Sequence, residues 1–296
     1  MKELIRAASY VRAHCGAIMV IKVGGACLRK PRHRRDIAQQ IATIQALGGK
    51  PVVVHGGGPQ TDELQNQLGD VPHMVDGRRV TTEAALRALR MSVVGELNGE
   101  FAAALTHAGA PAVGLCAADA GLVIAKKRAP MRTSEGMTDF GAVGDVQEIR
   151  PSAVLALLEQ GITPVICPPV SDGAEGFLNL NADTLAAELA IALRAAKLVL
   201  LAGAAGVLGD PTDPLSVLSH LSVDQLLELD QNGALKQGMK VKAVAIQRAL
   251  EGGVGRVHMV SGVDPESLLV ELYTTHGSGT LITIEPAAEL EAVATS

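Results

Sequence analysis

Lys22 interrupts an apolar run, Val20-Ile21-Lys22-Val23, that turns on Gly24 and Gly25. A lysine in a buried strand is costly unless it meets an anion. The two glycines let backbone N–H groups come close to that anion, as in a phosphate cradle. A second run, Val52-Val53-Val54-His55, ends on Gly56, Gly57 and Gly58 before Pro59. Three successive glycines leave a surface without side chains, where a carboxylate or a flat ligand can lie against backbone donors. His55 is expected to be structural, because a ligand that is already an anion needs no base to activate it. In Asp76-Gly77-Arg78-Arg79-Val80-Thr81 two guanidinium groups stand at a turn. Arginine suits a bidentate grasp of a carboxylate. Arg78 is expected to form a surface ion pair, and Arg79 to turn inward.

Two further segments supply charge. Asn179-Leu180-Asn181-Ala182-Asp183 opens a helical stretch. Asn181 or Asp183 can cap that helix, which accounts for one of the three polar residues. Alternation puts Asn179 and Asn181 on one side, so binding a ligand or orienting lysines is expected of the others. Gly238-Met239-Lys240-Val241-Lys242 places two lysines near the positive end of a helix. Cations are disfavoured there, so a strong anion such as a nucleotide phosphate is expected nearby, at Lys242 more than at Lys240.

These residues must be held by regular elements. Short β-branched runs at Ile18–Val23, Pro51–His55, Pro111–Leu115, Thr163–Cys167, Lys197–Leu201 and Arg256–Val260 predict buried strands. Helical patterns at Arg35–Leu47, Thr82–His107, Pro151–Gln160, Asp183–Ala192, Val223–Asn232 and Lys240–Leu250 alternate with them. The alternation predicts an α/β fold: a mostly parallel central sheet sandwiched between helices, with ligands at the carboxyl ends of its strands. Leu122–Ile149 reads as β-hairpins projecting from one sheet edge, a flap able to cover a ligand. Met1–His14 is an amphipathic helix, with Leu4, Ile5, Ala8 and Val11 on one side, that either packs on its own subunit or links subunits. The Gly-rich segment Ser171–Gly176 is the expected hinge. It divides the chain into an arm (1–16), an N-terminal lobe (17–172) and a C-terminal lobe (173–296). After Ile284 the Ala- and Glu-rich end is expected to fray.

Composition narrows the class. With 296 residues, 48% hydrophobic and only 2% aromatic, the chain can fill the layers of an α/β core with Ala, Val, Leu and Ile. A net charge of −5 argues against nucleic acid as partner. The basic cluster Arg32–Arg35 reads as a solvated helix start. Cys15, Cys27, Cys116 and Cys167 lack the spacing of a zinc site or disulfide framework, so a reducing cytoplasm is expected and no metal site on the protein. Neither a signal peptide nor a membrane-spanning stretch is expected.

Taken in this order, HGGGPQ, GRRVT, DFGAVGDV, NLNADT and GMKVK resemble the amino acid kinase family from about Ala17 to Ile282. The resemblance implies ATP-dependent phosphorylation of the side-chain carboxylate of N-acetyl-L-glutamate, in arginine biosynthesis, with Mg²⁺ held mainly by the nucleotide. It also implies roles for particular residues. Lys22 and Lys242 would neutralise charge on the transferred phosphoryl group, and Asp183 would hold both. Gly56, Gly57, Arg79 and Asn179 would contact the acceptor, with Arg79 and Asn179 on its non-reacting carboxylate. Gly24, Gly25, Gly203, Gly206, Gly238 and Met239 would line the nucleotide. The N-terminal helix with Tyr10, together with His258, Glu271 and Gly277, is similar to the L-arginine site of arginine-inhibited, ring-forming members, so a homo-oligomer is implied. One departure stands out: Gly203 occupies the position where the family carries an acidic residue. Open alternatives are a kinase for another N-acylated or carrier-bound amino acid, such as aminoadipate, and a non-catalytic amino-acid-binding protein of the same fold.

Overall fold

The protein is described from a computed structural model covering residues 2–210, 212–213, 215–235 and 237–285. The side chains of Leu4 and Ile5, and the segment after Glu285, lie outside the described residues. Eight strands form the central sheet: β1 (Ile18–Val23), β2 (Lys50–His55), β3 (Ala112–Cys116), β4 (Thr163–Cys167), β5 (Lys197–Ala202), β6 (His220–Ser222), β7 (Arg256–Ser261) and β8 (Thr280–Thr283). Their order across the sheet is β6-β8-β7-β5-β1-β2-β4-β3. All neighbours run parallel except β7 and β8. The mostly parallel α/β architecture expected from the alternating runs is therefore present.

Strand alternation decides which side chains meet which layer. Met19, Ile21, Val23, Val53, Val165, Val199 and Leu201 pack on one face, with Ile37, Ile41, Phe101 and Leu105 from its covering helices. Val20, Val52, Val54, Ile166, Leu198 and Leu200 pack on the other, against Leu185 and Leu189 of the helix Ala182–Ala192. Lys22 is in phase with Val20, so it must emerge on the face that this helix covers. Burying both faces explains why the strands read as unbroken apolar runs.

Several boundaries differ from the sequence expectation. A short helix, Gly25–Leu28, follows β1, and the helix expected from Arg35 begins at Pro31, whose missing N–H costs nothing in a first turn, so Arg32 to Arg35 lie inside it. The long helix from Thr82 is broken in kind: α over Glu83–Leu89, a wider π turn over Arg90–Leu97, then α over Asn98–His107. The hairpin region does not extend the main sheet. Val123–Lys127 and Gly144–Ile149 pair antiparallel in a separate four-stranded sheet, joined by Val170–Ser171 and Phe177–Leu178. Met131–Thr133 and Gly136–Thr138 form a further hairpin. Ser171–Gly176 spans the turn between two paired strands, where Asp172 Oδ1 accepts from the N–H groups of Ala174 and Gly176. The helix Lys2–His14 seats Tyr10 and Val11 against the core and buries His14 beside Tyr273, 5.1 Å between ring centres. Among the described residues no helix is long and apolar enough to cross a membrane.

Candidate active site

At the carboxyl end of β1, the Lys22 Nζ lies 2.8 Å from Asp183 Oδ1. The Lys242 Nζ donates to the other oxygen, Oδ2, at 3.1 Å. Asp183 stands in the first turn of the helix Ala182–Ala192, and its carboxylate is free for the lysines because Asn181 does the capping. Asn181 Oδ1 accepts from the N–H groups of Asp183 and Thr184, at 2.7 and 3.2 Å. Burial pushes the Asp183 carboxyl up, but Lys22 and then Lys242 outweigh it and hold it below the ordinary carboxylate range. Two ammonium groups on one carboxylate leave one net positive charge in a nearly dry place. Lys240, two residues away, pairs with Asp230 at 3.3 Å.

Lys22 and Asp183 border a cavity of 430 Å³, with Lys242 behind them on Asp183 and outside its lining. Of the residues singled out from sequence, Lys22, Gly25, Gly56, Gly57, Arg79, Asn179 and Asp183 line it. Its floor is main chain. A Cβ on Gly25 would stand 2.9 Å from the Gly57 Cα, and a Cβ on Gly57 would strike Val93 from the π turn. Gly24 turns its N–H to the Leu201 carbonyl at 3.0 Å. Beneath this floor, His55 is wholly buried. Its Nδ1 faces the Gly56 carbonyl at 3.0 Å, and that oxygen can only accept, so Nδ1 carries the proton. Nε2 therefore accepts from Asn98 Nδ2, also at 3.0 Å, while the same amide donates to Val165 O. Desolvation lowers the imidazole to about 4, so it is neutral and structural, as expected.

Of the two arginines, only Arg78 departs from its expected place. Arg79 does turn inward, but its fork is occupied: it pairs with Asp62 and donates to Gln65 Oε1 at 2.8 Å. Arg78, expected in a surface ion pair, has no carboxylate partner among the described residues and lines the cavity half-buried. The acids near it are engaged elsewhere. Asp76 accepts from Ser134 N and Oγ, and Asp145 takes Arg128 Nε and Nη2 at 2.9 and 2.6 Å. Arg128, from the small sheet, also lines the cavity and carried no signal in its sequence neighbourhood. Asn98 was equally silent, being one polar residue in a helical run. Asn179 reaches the cavity as its Nδ2 donates to Thr81 Oγ1 at 3.1 Å.

Other singled-out residues lie outside the cavity lining. Gly203 is exposed, with nothing within 4 Å of an added Cβ. Gly206 has a packing reason to be glycine, since a Cβ would meet Thr280 Oγ1 at 2.5 Å. Gly238 and Met239 sit in the first turn of the helix Gln237–Glu251, which presents Val241 and Val244 to the cavity. Tyr10, His258, Glu271 and Gly277 gather at the opposite rim of the sheet. His258 Nδ1 meets Glu271 Oε1 at 2.7 Å, Lys197 Nζ lies 3.4 Å from His258 Nε2, and Tyr10 flanks His14 at 6.4 Å. An added Cβ on Gly277 would touch Glu271 Oε2 at 2.9 Å.

An open parallel sheet whose strand ends carry glycine loops and a lysine–aspartate–lysine triad defines an anion-handling α/β enzyme. The chain belongs to the amino acid kinase family, whose sequence profile, described as "Amino acid kinase family", matches residues 17–261. It is 43% identical to the acetylglutamate kinase of Myxococcus xanthus over 96% of this chain and 94% of that protein. To the acetylglutamate kinase of Heliobacterium modesticaldum it is 40% identical, over 94% of this chain and 96% of that one. Among solved structures, N-acetylglutamate synthase of Neisseria gonorrhoeae, complexed with coenzyme A and N-acetyl-glutamate, superposes with a TM-score of 0.83 at 27% identity. That match covers 96% of this chain and 63% of the synthase chain.

Proposed function

We infer that this protein phosphorylates the side-chain carboxylate of N-acetyl-L-glutamate with ATP, forming the acyl phosphate of arginine biosynthesis. The observation that carries the reading is the triad at the strand ends, where Lys22 and Lys242 share Asp183 beside a side-chain-free floor. The curated relatives, matched over nearly their full length, support the choice of acceptor.

The chemistry needs alignment and charge stabilisation. The acceptor carboxylate is ionised at neutral pH, so no general base is required. One of its oxygens attacks the terminal phosphorus, and the bond from that phosphorus to the bridging oxygen breaks, releasing ADP. Lys22 and Lys242 neutralise the charge on the transferred group, and Asp183 keeps both ammonium groups aimed at it. Gly25 offers a backbone donor, while Gly56, Gly57, Arg79 and Asn179 shape the berth of the acceptor. The single net positive charge of the triad fits a phosphate, and Mg²⁺ would arrive with the nucleotide and supply further positive charge to its phosphates. Residues 17–172 supply most of the acceptor side, and residues 173–296 the nucleotide side with Gly203, Gly206, Gly238 and Met239.

The same reading includes a homo-oligomer inhibited by L-arginine, supported by the gathering of Tyr10, His258, Glu271 and Gly277 around His14. The free thiols suit a reducing cytoplasm.

The test is hydroxamate trapping of acyl phosphate with MgATP and a panel of acceptors. Turnover with N-acetyl-L-glutamate, and little with N-acetylaminoadipate, is the expected result. Turnover with no acceptor would leave a non-catalytic amino-acid-binding protein.

A further inference from the structure

The main sheet stops holding β1 and β2 together just before the glycine loops. Their ladder closes with the Gly56 N–H donating to the Val23 carbonyl at 3.1 Å. Past that bond the two chains part: Gly24 turns its N–H to Leu201 on β5, and the other chain enters the helix Gly58–Gln67. In the reading above, the phosphate side of the site rests on Gly25 and the acceptor side on Gly56 and Gly57, so their separation needs a tie of its own. Gln60, in the first turn of that helix, reaches back, and its Nε2 donates to the Gly25 carbonyl at 2.9 Å. Among the described residues no other hydrogen bond joins residues 24–28 to residues 57–67. The ion pair of Arg29 with Glu63, open at 3.8 Å with both side chains more than half exposed, adds little.

The amide has one workable orientation. Turned over, it would set Oε1 against the Gly25 oxygen, acceptor to acceptor, so Nε2 is the atom that faces it. Oε1 is then enclosed without a hydrogen-bond partner among the described residues. A glutamine with no task would avoid that cost by pointing into water. A Cβ on Gly25 would stand 3.0 Å from this Oε1 and 2.9 Å from the Gly57 Cα, so the amide and the second loop close on Gly25 together. Gln60 lines not the substrate cavity but a separate recess of 310 Å³, with Leu28 and Ser92. It can therefore act on the reaction only through the loops.

We propose that Gln60 is a positioning residue: its amide clamps the two glycine loops together and so sets the distance from the acceptor's reacting oxygen to the terminal phosphorus. The proposal rests on the kinase reading above. In-line transfer gains its rate from alignment, and a misplacement of about 1 Å can cost roughly 10²-fold. Without the tie each loop still receives its own substrate, but the gap between the two substrates varies. Binding of the ground state is kept and binding of the transition state is lost.

The experiment deletes the donor with Gln60→Met, close in length and shape. kcat for acyl phosphate formation, trapped as hydroxamate, should fall roughly tenfold or more, while the KM values for MgATP and N-acetyl-L-glutamate each move less than about threefold. Calorimetric titration adds a readout that a merely structural role would not move. With N-acetyl-L-glutamate present, affinity for MgADP with aluminium fluoride, a mimic of the transferring phosphoryl group, should fall in step with kcat. Affinity for a non-hydrolysable MgATP analogue should hold. Gln60→Asn, whose amide falls one methylene short of Gly25, serves in the same assays should Gln60→Met fold poorly.

An equal loss of affinity for both nucleotide complexes overturns the proposal and marks Gln60 as structural. A wild type that turns over beside a folded variant with the same kcat defeats Gln60 alone. A wild type inert with every acceptor defeats the kinase reading, and the positioning role falls with it.

Discussion

Lys22 Nζ and Asp183 Oδ1 meet at 2.8 Å with their side chains only 7% and 6% exposed. A pair so enclosed is organised before any ligand arrives, which is what stabilising a charged transition state requires. We expect Lys22→Ala to lower kcat roughly 10²–10³-fold, the effect of removing one donor to developing charge, with a much smaller change in acceptor KM. Steady-state kinetics at saturating MgATP checks this, and unchanged turnover would remove Lys22 from the mechanism.

Asp183→Asn takes the counter-charge from two ammonium groups at once. Removing one partner of a buried ion cluster destabilises by about 3–5 kcal/mol. Urea denaturation should show that loss, and it should shrink when MgATP is added, because phosphates can replace the missing carboxylate.

Asn98 holds His55, and His55 holds the Gly56 carbonyl. Asn98→Ala strands Nε2 of His55 and the Val165 carbonyl, at about 1–3 kcal/mol for each unsatisfied group. We expect a lower Tm together with a raised acceptor KM, since the glycine floor loses its support. A variant with a lower Tm and wild-type KM would show that the network stabilises without positioning.

Gly57→Ala drives a methyl into Val93. We expect the substitution to abolish acceptor binding or stability, and Val93→Ala added to it to recover part of both. Simple additivity of the two changes would show that the collision lies elsewhere.

Stability should depend on pH through buried imidazoles. Burial lowers His55 to about 4, and burial and then the charge of Lys197 lower His14 to about 4. Between that value and the ordinary 6.5 the unfolded chain binds more protons than the folded one. Stability is therefore fully present above pH 6.5 and is lost as pH falls toward 4. For His55 alone the full effect is on the order of 3 kcal/mol. Denaturation at a series of pH values should reveal the slope, and His14→Leu should make it shallower.

The inner strands were legible because each is buried on both faces and so reads as an apolar run, and Lys22 was conspicuous as the charge inside one, whereas the short outer strands His220–Ser222 and Thr280–Thr283 were missed. Lys242 and Asp183 were legible for a related reason: a cation at a helix start and surplus polar groups at a cap both ask for partners. Arg78 was misjudged because both arginines face the cavity and only one of them has an acid within reach. Which of them finds an acid depends on Asp62, a helix away in the fold. The hairpins expected to project from one edge of the main sheet build a separate sheet with Val170–Ser171 and Phe177–Leu178, since strand patterns do not reveal which strands they join. Asn98 could not be found at all, as its role exists only once β2, β4 and the helix that bears it are packed together.

The contact of Gly25 with Gly57 leaves the base of the cavity built from peptide groups alone. Point changes have no side chain there to resize: a Cβ on Gly25 would press on Gly57, and one on Gly57 would strike Val93. Divergence toward a new acceptor must therefore proceed through the walls, at positions such as 78, 128 and 179, while the base passes unaltered from one specificity to the next.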